Sequence, residues 1–136
     1  KDLNIKVLLK LLVMANKLLL TAFIVVLFDQ LTKFIFKTYF TATKNYGAAF
    51  GLFQGYRWLF IAVALVVMFF VFRFRNRFDN LALGFLLGGT LGNLIDRLIY
   101  GFVIDFIDLG FWPSFNIADL FSTLGVLLLI YRHWKD

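Results

Sequence analysis

The sequence predicts an all-α membrane protein: four transmembrane helices with both termini on the cytoplasmic side, plus a small extended segment on the outer side. Three observations carry this. Of the 136 residues, 62% are hydrophobic and only 16% charged, whereas soluble domains run near half apolar and about a quarter charged. A short soluble chain has too small an interior for that much apolar sequence, so the surplus faces lipid. Four stretches approach the roughly 20 apolar residues a membrane helix needs. Finally, the basic residues are distributed asymmetrically about those stretches. The length fits one domain, 1–136.

In chain order, residues 2–17 put Asp2, Lys6, Lys10 and Lys17 on one helical face, with Leu3, Val7, Leu11 and Met14 away from it. This segment reads as an amphipathic interfacial helix, an extension of the first span, or a solvated tail. Its basic, apolar character resembles a signal peptide. It lacks a small-residue cleavage site, so it reads as retained. The predicted spans are Leu18–Phe36, Trp58–Phe74, Leu81–Tyr100 and Ile117–Trp134. The first is interrupted by Asp29 and Lys33, the third by Asn93, Asp96 and Arg97. Gly84, Gly88 and Gly92 recur every four residues along the third span, a spacing that lets another helix approach closely. Ser114, just after Pro113, is the expected cap of the fourth.

With both termini inside, nine of the fourteen basic residues and three of the eight aspartates lie on the inner side. The outer side holds five of each, so the whole net charge of +6 sits inside. The basic excess is therefore a topology signal and implies no nucleic-acid partner. The five outer acids and five outer bases matter more, because ionisable groups near hydrocarbon are costly and usually mark function.

The inventory of reactive groups is narrow. There is no cysteine and no glutamate, and the single histidine is His133. A thiol nucleophile, a disulfide framework and a histidine-based triad or metal cluster are set aside. Acid–base chemistry rests on aspartate. Asp105 lies in the alternating apolar run 103–107, which fits an extended segment at the membrane surface, and such surroundings raise a carboxyl pKa. Asp108 sits nearer Gly110 and Pro113, where a turn is expected. Asp119 lies about one turn into the fourth span, on one face with Asn116. Two close carboxylates share a proton, so one can take a proton from water while the other donates to a scissile carbonyl. Spacing allows Asp105 and Asp119 as the pair, and also allows Asp96 to complete one. It leaves open which carboxylate holds the proton. The Asn93–Asp96–Arg97 cluster reads as supporting network more than catalyst.

Five segments, in order, resemble those of the lipoprotein signal peptidases (signal peptidase II). They are Asp29-Gln30-Leu31-Thr32-Lys33, Asn45-Tyr46-Gly47-Ala48-Ala49-Phe50, Gly88 through Arg97, Val103-Ile104-Asp105-Phe106, and Phe115-Asn116-Ile117-Ala118-Asp119. The resemblance implies a membrane aspartyl endopeptidase with Asp105 and Asp119 as catalytic dyad. It implies that Asp29, Lys33, Asn45, Gly47, Asn93, Arg97, Asn116 and Ala118 shape the site or contact substrate, with Asp96 as structural support. The implied substrate is a diacylglyceryl-modified prolipoprotein, cleaved before its lipidated cysteine, with the lipid lying between helices that face the bilayer. The resemblance further implies no cofactor, no metal, a single chain, and a multi-pass location in the bacterial inner membrane with the site at the extracytoplasmic face.

The chain departs from that pattern in two places. Only the eleven residues 34–44 separate Lys33 from Asn45, where the family has a longer segment contributing to a small substrate-cradling sheet, and the 106–118 segment is also short. Leu120 stands where the family often has a small residue. Two rival readings remain. The string Gly88-Gly89-Thr90-Leu91-Gly92 with Arg97 also resembles the motif of small four-span fluoride channels, although such channels have little charge bias and no use for the two aspartates. A non-catalytic membrane scaffold would account for the glycines but not the acids.

Overall fold

The computed structural model describes residues 2–136. Four α-helices run α1 (Asp2–Tyr39), α2 (Arg57–Phe74), α3 (Asn80–Ile99) and α4 (Ile117–Lys135), with two short strands, β1 (Thr43–Asn45) and β2 (Val103–Asp105), in the α1–α2 and α3–α4 connections. Three helices, α1, α2 and α3, are long and apolar enough to cross a membrane. Residues 2–17 are continuous with the first predicted span, so α1 is one helix of 38 residues, about 57 Å long.

α3 is the central helix. It packs against α1, α2 and α4, whereas α2 and α4 lie largely apart from each other. The glycine stripe explains the closeness of α1. Leu18, Ala22, Val25, Asp29 and Lys33 form the buried face of α1, at the spacing that keeps residues on one side of a helix. A Cβ on Gly84 would meet Thr21 at 2.6 Å, and one on Gly88 would meet Val25 at 2.6 Å. Gly92 lies against the Asp29 carboxylate itself. On the adjoining face of α3, Gly89 admits Ala118 and Ser122 of α4, and Gly125 of α4 fits against Ala82 and Leu86. The predicted packing role of the stripe thus has named partners on two sides.

Despite the short 34–44 segment, a small sheet forms: β1 pairs antiparallel with β2, Thr43 opposite Asp105 and Asn45 opposite Val103. Ile107 bridges Phe115 beyond it. That bridge corrects the expected cap of α4. Phe115 is committed to Ile107 through two backbone hydrogen bonds, so the chain is still extended at Ser114 and the helix starts later. Asn116 is the cap: its side chain accepts from the Asp119 N–H while the Asp119 carboxylate accepts from the Asn116 N–H. At the opposite end, Asp79 caps α3 by accepting from Ala82 N–H and forms an ion pair with Arg132 of α4.

Candidate active site

Asp105 closes β2 and is 3% exposed. Its Oδ2 accepts from Asn45 Nδ2 at 3.0 Å and its Oδ1 from Asn116 Nδ2 at 2.8 Å. Asn45 is its diagonal neighbour across the ladder, on the same face of the sheet. Asp119 sits in the first turn of α4. Its Oδ1 accepts from Asn93 Nδ2 at 2.8 Å and its Oδ2 from the Asn116 backbone N–H at 3.1 Å. Asn116 therefore touches both carboxylates, one through its side chain and one through its backbone. Asn93 closes the circuit, since its Oδ1 accepts from Asn116 Nδ2 at 3.0 Å. Burial pushes the Asp105 carboxyl up to about 7, and the nearby Asp119 charge adds to the rise; hydrogen bonds from Asn45 and Asn116 only partly oppose it.

Both aspartates face a cavity of about 310 Å³, lined also by Asn45, Gly47, Asn93 and Arg97, with Phe60, Trp112 and Phe115 as apolar walls. A second space of about 350 Å³ adjoins it across Asp105, running past Thr43, Lys44 and Phe50. Together they make a groove that passes over Asp105. A larger cavity, about 670 Å³, lies at the opposite end among Arg77, Asp79 and Arg132. Two aspartates line it, and Asp79 is held by the Ala82 N–H and by Arg132.

Beneath the dyad lies a buried charge cluster. Lys33, 1% exposed, pairs with Asp29 at 2.7 Å and with Asp96 at 3.0 Å, and donates to Asn93 Oδ1 at 3.1 Å. Asp29 Oδ1 accepts the Ala118 N–H at 2.8 Å and Asp96 Oδ2 the Ile104 N–H at 3.0 Å. These two carboxylates thereby fix the backbone next to Asp119 and next to Asp105. A buried ion is tolerable only when paired and hydrogen-bonded, and all three ions here are. Arg97 lies over the Phe60 ring, 4.8 Å from its centroid, and reaches Gly47 O at 3.5 Å. Gly47 is required by contact: a Cβ there would run into Leu52 O and Gln54.

The structure brings all of the predicted site residues into this one region, and it pairs Asp105 with Asp119 in the shared cavity. Asp96, the alternative partner, lies below, engaged by Lys33 and Gln30. Asp108 is exposed in a turn, its Oδ1 accepting from Gly110 N–H. Gln30 was missed by sequence reasoning as an individual. Its Nε2 reaches Asp29 Oδ2, Gly92 O and Asp96 Oδ1 within 3.2 Å. The signal was available, because a glutamine inside a membrane span needs partners. Among the described residues, no group of three or more metal-ligating side chains is placed to hold a metal ion.

Residues 21–135 match the family described as signal peptidase (SPase) II. The chain belongs to the signal peptidase II family. Its fold and sequence agree with solved and curated relatives. A lipoprotein signal peptidase of Halothermothrix orenii is 38% identical over 133 residues, covering 83% of this chain and 92% of that protein. One from Syntrophomonas wolfei is 50% identical over 97 residues, covering 68% of this chain and 65% of that protein. A bacterial membrane enzyme solved by the in meso method at 2.3 Å resolution superposes with a TM-score of 0.81 at 35% identity, covering 89% of both chains. As a member of the signal peptidase II family the chain is a protease, and the fluoride-channel and scaffold readings fall away.

Proposed function

We propose that this signal peptidase II family member is an aspartyl endopeptidase that cleaves the signal peptide from diacylglyceryl-modified prolipoproteins, N-terminal to the lipidated cysteine. The observation that carries the reading is the pairing of Asp105 and Asp119 in one cavity, tied together through Asn116. The rise of Asp105 to about 7 divides the roles. At neutral pH about half of the molecules hold a proton on Asp105, and that form offers it to the scissile carbonyl oxygen. Asp119, whose two oxygens both accept N–H donors, takes a proton from a water held between the two. The water oxygen bonds to the carbonyl carbon and gives a tetrahedral gem-diol. Asp119 then returns its proton to the departing cysteine nitrogen, the C–N bond breaks, and Asp105 recovers a proton from a gem-diol hydroxyl.

The neighbours have supporting roles in this scheme. Asn45, Asn93 and Asn116 hold the carboxylates at fixed angles, which matters because misplacement by an ångström is costly in rate. Gly47 lets the loop after β1 close beside the groove, and Arg97 is the cation available to a peptide carbonyl. Asp29, Lys33, Asp96 and Ala118 form the floor. The cleaved peptide crosses the groove, and its diacylglycerol lies between helices in the outer leaflet.

The same reading places the protein in the bacterial inner membrane as a multi-pass single chain. α4 is the fourth span, both termini are cytoplasmic, and the dyad lies at the extracytoplasmic face. The charge asymmetry supports this orientation. The test is to incubate purified protein with a diacylglyceryl prolipoprotein and with its unlipidated form. Mass spectrometry should show loss of the signal peptide from the lipidated form alone. Equal cleavage of both forms, or of neither, would sink the proposal.

A further inference from the structure

The end of the molecule opposite the dyad carries a cavity of about 670 Å³, larger than the two spaces beside Asp105, with Arg77, Arg132 and Lys135 as its cations. Of its two acids, Asp79 and Asp136, the first is committed. Asp79 spends Oδ1 on the Ala82 N–H and Oδ2 on Arg132, leaving Asp136 as the other acid. Two apolar troughs open from this cavity and share Phe78 and Leu129 with it. One, of about 250 Å³ and with no polar surface, fills the gap between α2 and α4 over Leu83 and Leu86 of α3. The other, about 270 Å³, runs along Ile130 and Trp134. The Phe74 ring in the first trough carries Arg73 and Arg77 within 6 Å of its centroid, so cations ring the mouth as well.

A basic polar chamber feeding two apolar troughs has the shape and chemistry of one molecule type, a lipid with an anionic headgroup and two acyl chains. We propose that this end is a binding site for an anionic phospholipid, the phosphate beside Arg77 and Lys135 and one chain in each trough. Basic pockets between helices on the cytoplasmic side are suited to such headgroups. The occupant would wedge α2 and α4 apart where they lack each other's support and hold both on α3. The site lies in the leaflet opposite the groove of Asp105 and Asp119, so it does not depend on the catalytic reading and involves no catalytic side chain.

The test is native mass spectrometry of the full chain from nanodiscs of mixed phosphatidylglycerol and phosphatidylcholine. The intact protein should retain phosphatidylglycerol preferentially, one molecule per chain. In Arg77→Gln/Lys135→Gln that preference should fall by roughly tenfold or more, since each basic contact near the surface contributes about 1 kcal/mol. Prolipoprotein cleavage by this variant should persist. Lys6→Gln/Lys10→Gln removes equal charge from the same side but outside the cavity, and should keep the preference. Equal retention of the two lipids by the intact protein would overturn the proposal. So would an equal loss in the Lys6/Lys10 variant, which would mean general surface charge. Displacement of the lipid by millimolar inorganic phosphate would also overturn it, because it would show a headgroup site without the troughs.

Discussion

Asn116 joins the two carboxylates physically, with one amide nitrogen within reach of Asp105, Asn93 and the Ile104 carbonyl. A pair held this way acts as a unit, and losing either member costs nearly as much as losing both. Asp105→Asn and Asp119→Asn should each abolish cleavage of a lipidated prolipoprotein, the double variant should be no worse, and Asp108→Asn should remain active. Substrate binding should survive in all of them, because lipid burial does not need the carboxylates. Strong turnover by Asp119→Asn with an inactive Asp96→Asn would move the dyad to Asp96 and Asp105. The raised Asp105 carboxyl adds a pH signature. A mechanism needing its proton loses rate as pH rises through about 7. Stability moves the same way: the unfolded carboxyl releases its proton near 3.8 and the folded one near 7, so the folded state binds the extra proton in that window. Its contribution is fully present below about 4 and is lost as pH rises to about 7. Asp105→Asn should therefore melt higher than the intact protein at pH 8, with the gap closing at pH 4. A gap that persists at pH 4 would assign the stabilisation to something other than this proton.

At the scale of elements, α1, α3, β2 and α4 meet through Lys33. It pairs with both Asp29 and Asp96, and those carboxylates hold the Ala118 and Ile104 amides. Lys33→Ala leaves two buried acids facing each other without a counter-ion, which costs about 3–5 kcal/mol for a broken buried pair. The expected outcome is a large drop in melting temperature together with loss of cleavage. An unchanged melting temperature and unchanged cleavage would reduce the cluster to decoration. The helices themselves were legible because apolar runs and a four-residue glycine repeat are local signals, and the Asp29–Lys33 pair was legible as an i, i+4 spacing. What the sequence hid is non-local. Lys33 also reaches Asp96, 63 positions later, and no spacing rule reports that. Local signals favour Ser114 as the cap of α4, and the bridge from Phe115 to Ile107 that moves it to Asn116 depends on pairing across a loop. The 34–44 segment is shorter than the family's, yet β1 needs only three residues, paired with β2.

At the scale of the whole molecule, the open question of architecture is whether α4 crosses the bilayer beside the other three. Its composition is ambiguous, since Asp119, Arg132, His133 and Lys135 interrupt it. Its attachments are not. At one end it is fixed to α3 by Asn93 and Asp119, and at the other by Asp79 and Arg132. The ties lie at Asp79 and Asn93 of α3, about 21 Å of helix apart, and cover most of a hydrocarbon core about 30 Å thick. An antiparallel partner tied at both ends spans the same depth. The polar residues of α4 then fall at the two interfaces, where long basic side chains reach water. With α1, α2 and α3 as the other crossings, the proposed four spans would return the chain to its starting side, and the excess of basic residues there supports the cytoplasmic assignment. Reporter fusions read this directly. A periplasmic-active reporter should be on at Tyr56 and off at Asn76 and after Trp134. Activity at Asn76 would invert the whole assembly and put the dyad in the cytoplasm. Activity after Trp134 alone would show that α4 turns back at the outer surface, and its tie to Asp79 would then have to be abandoned.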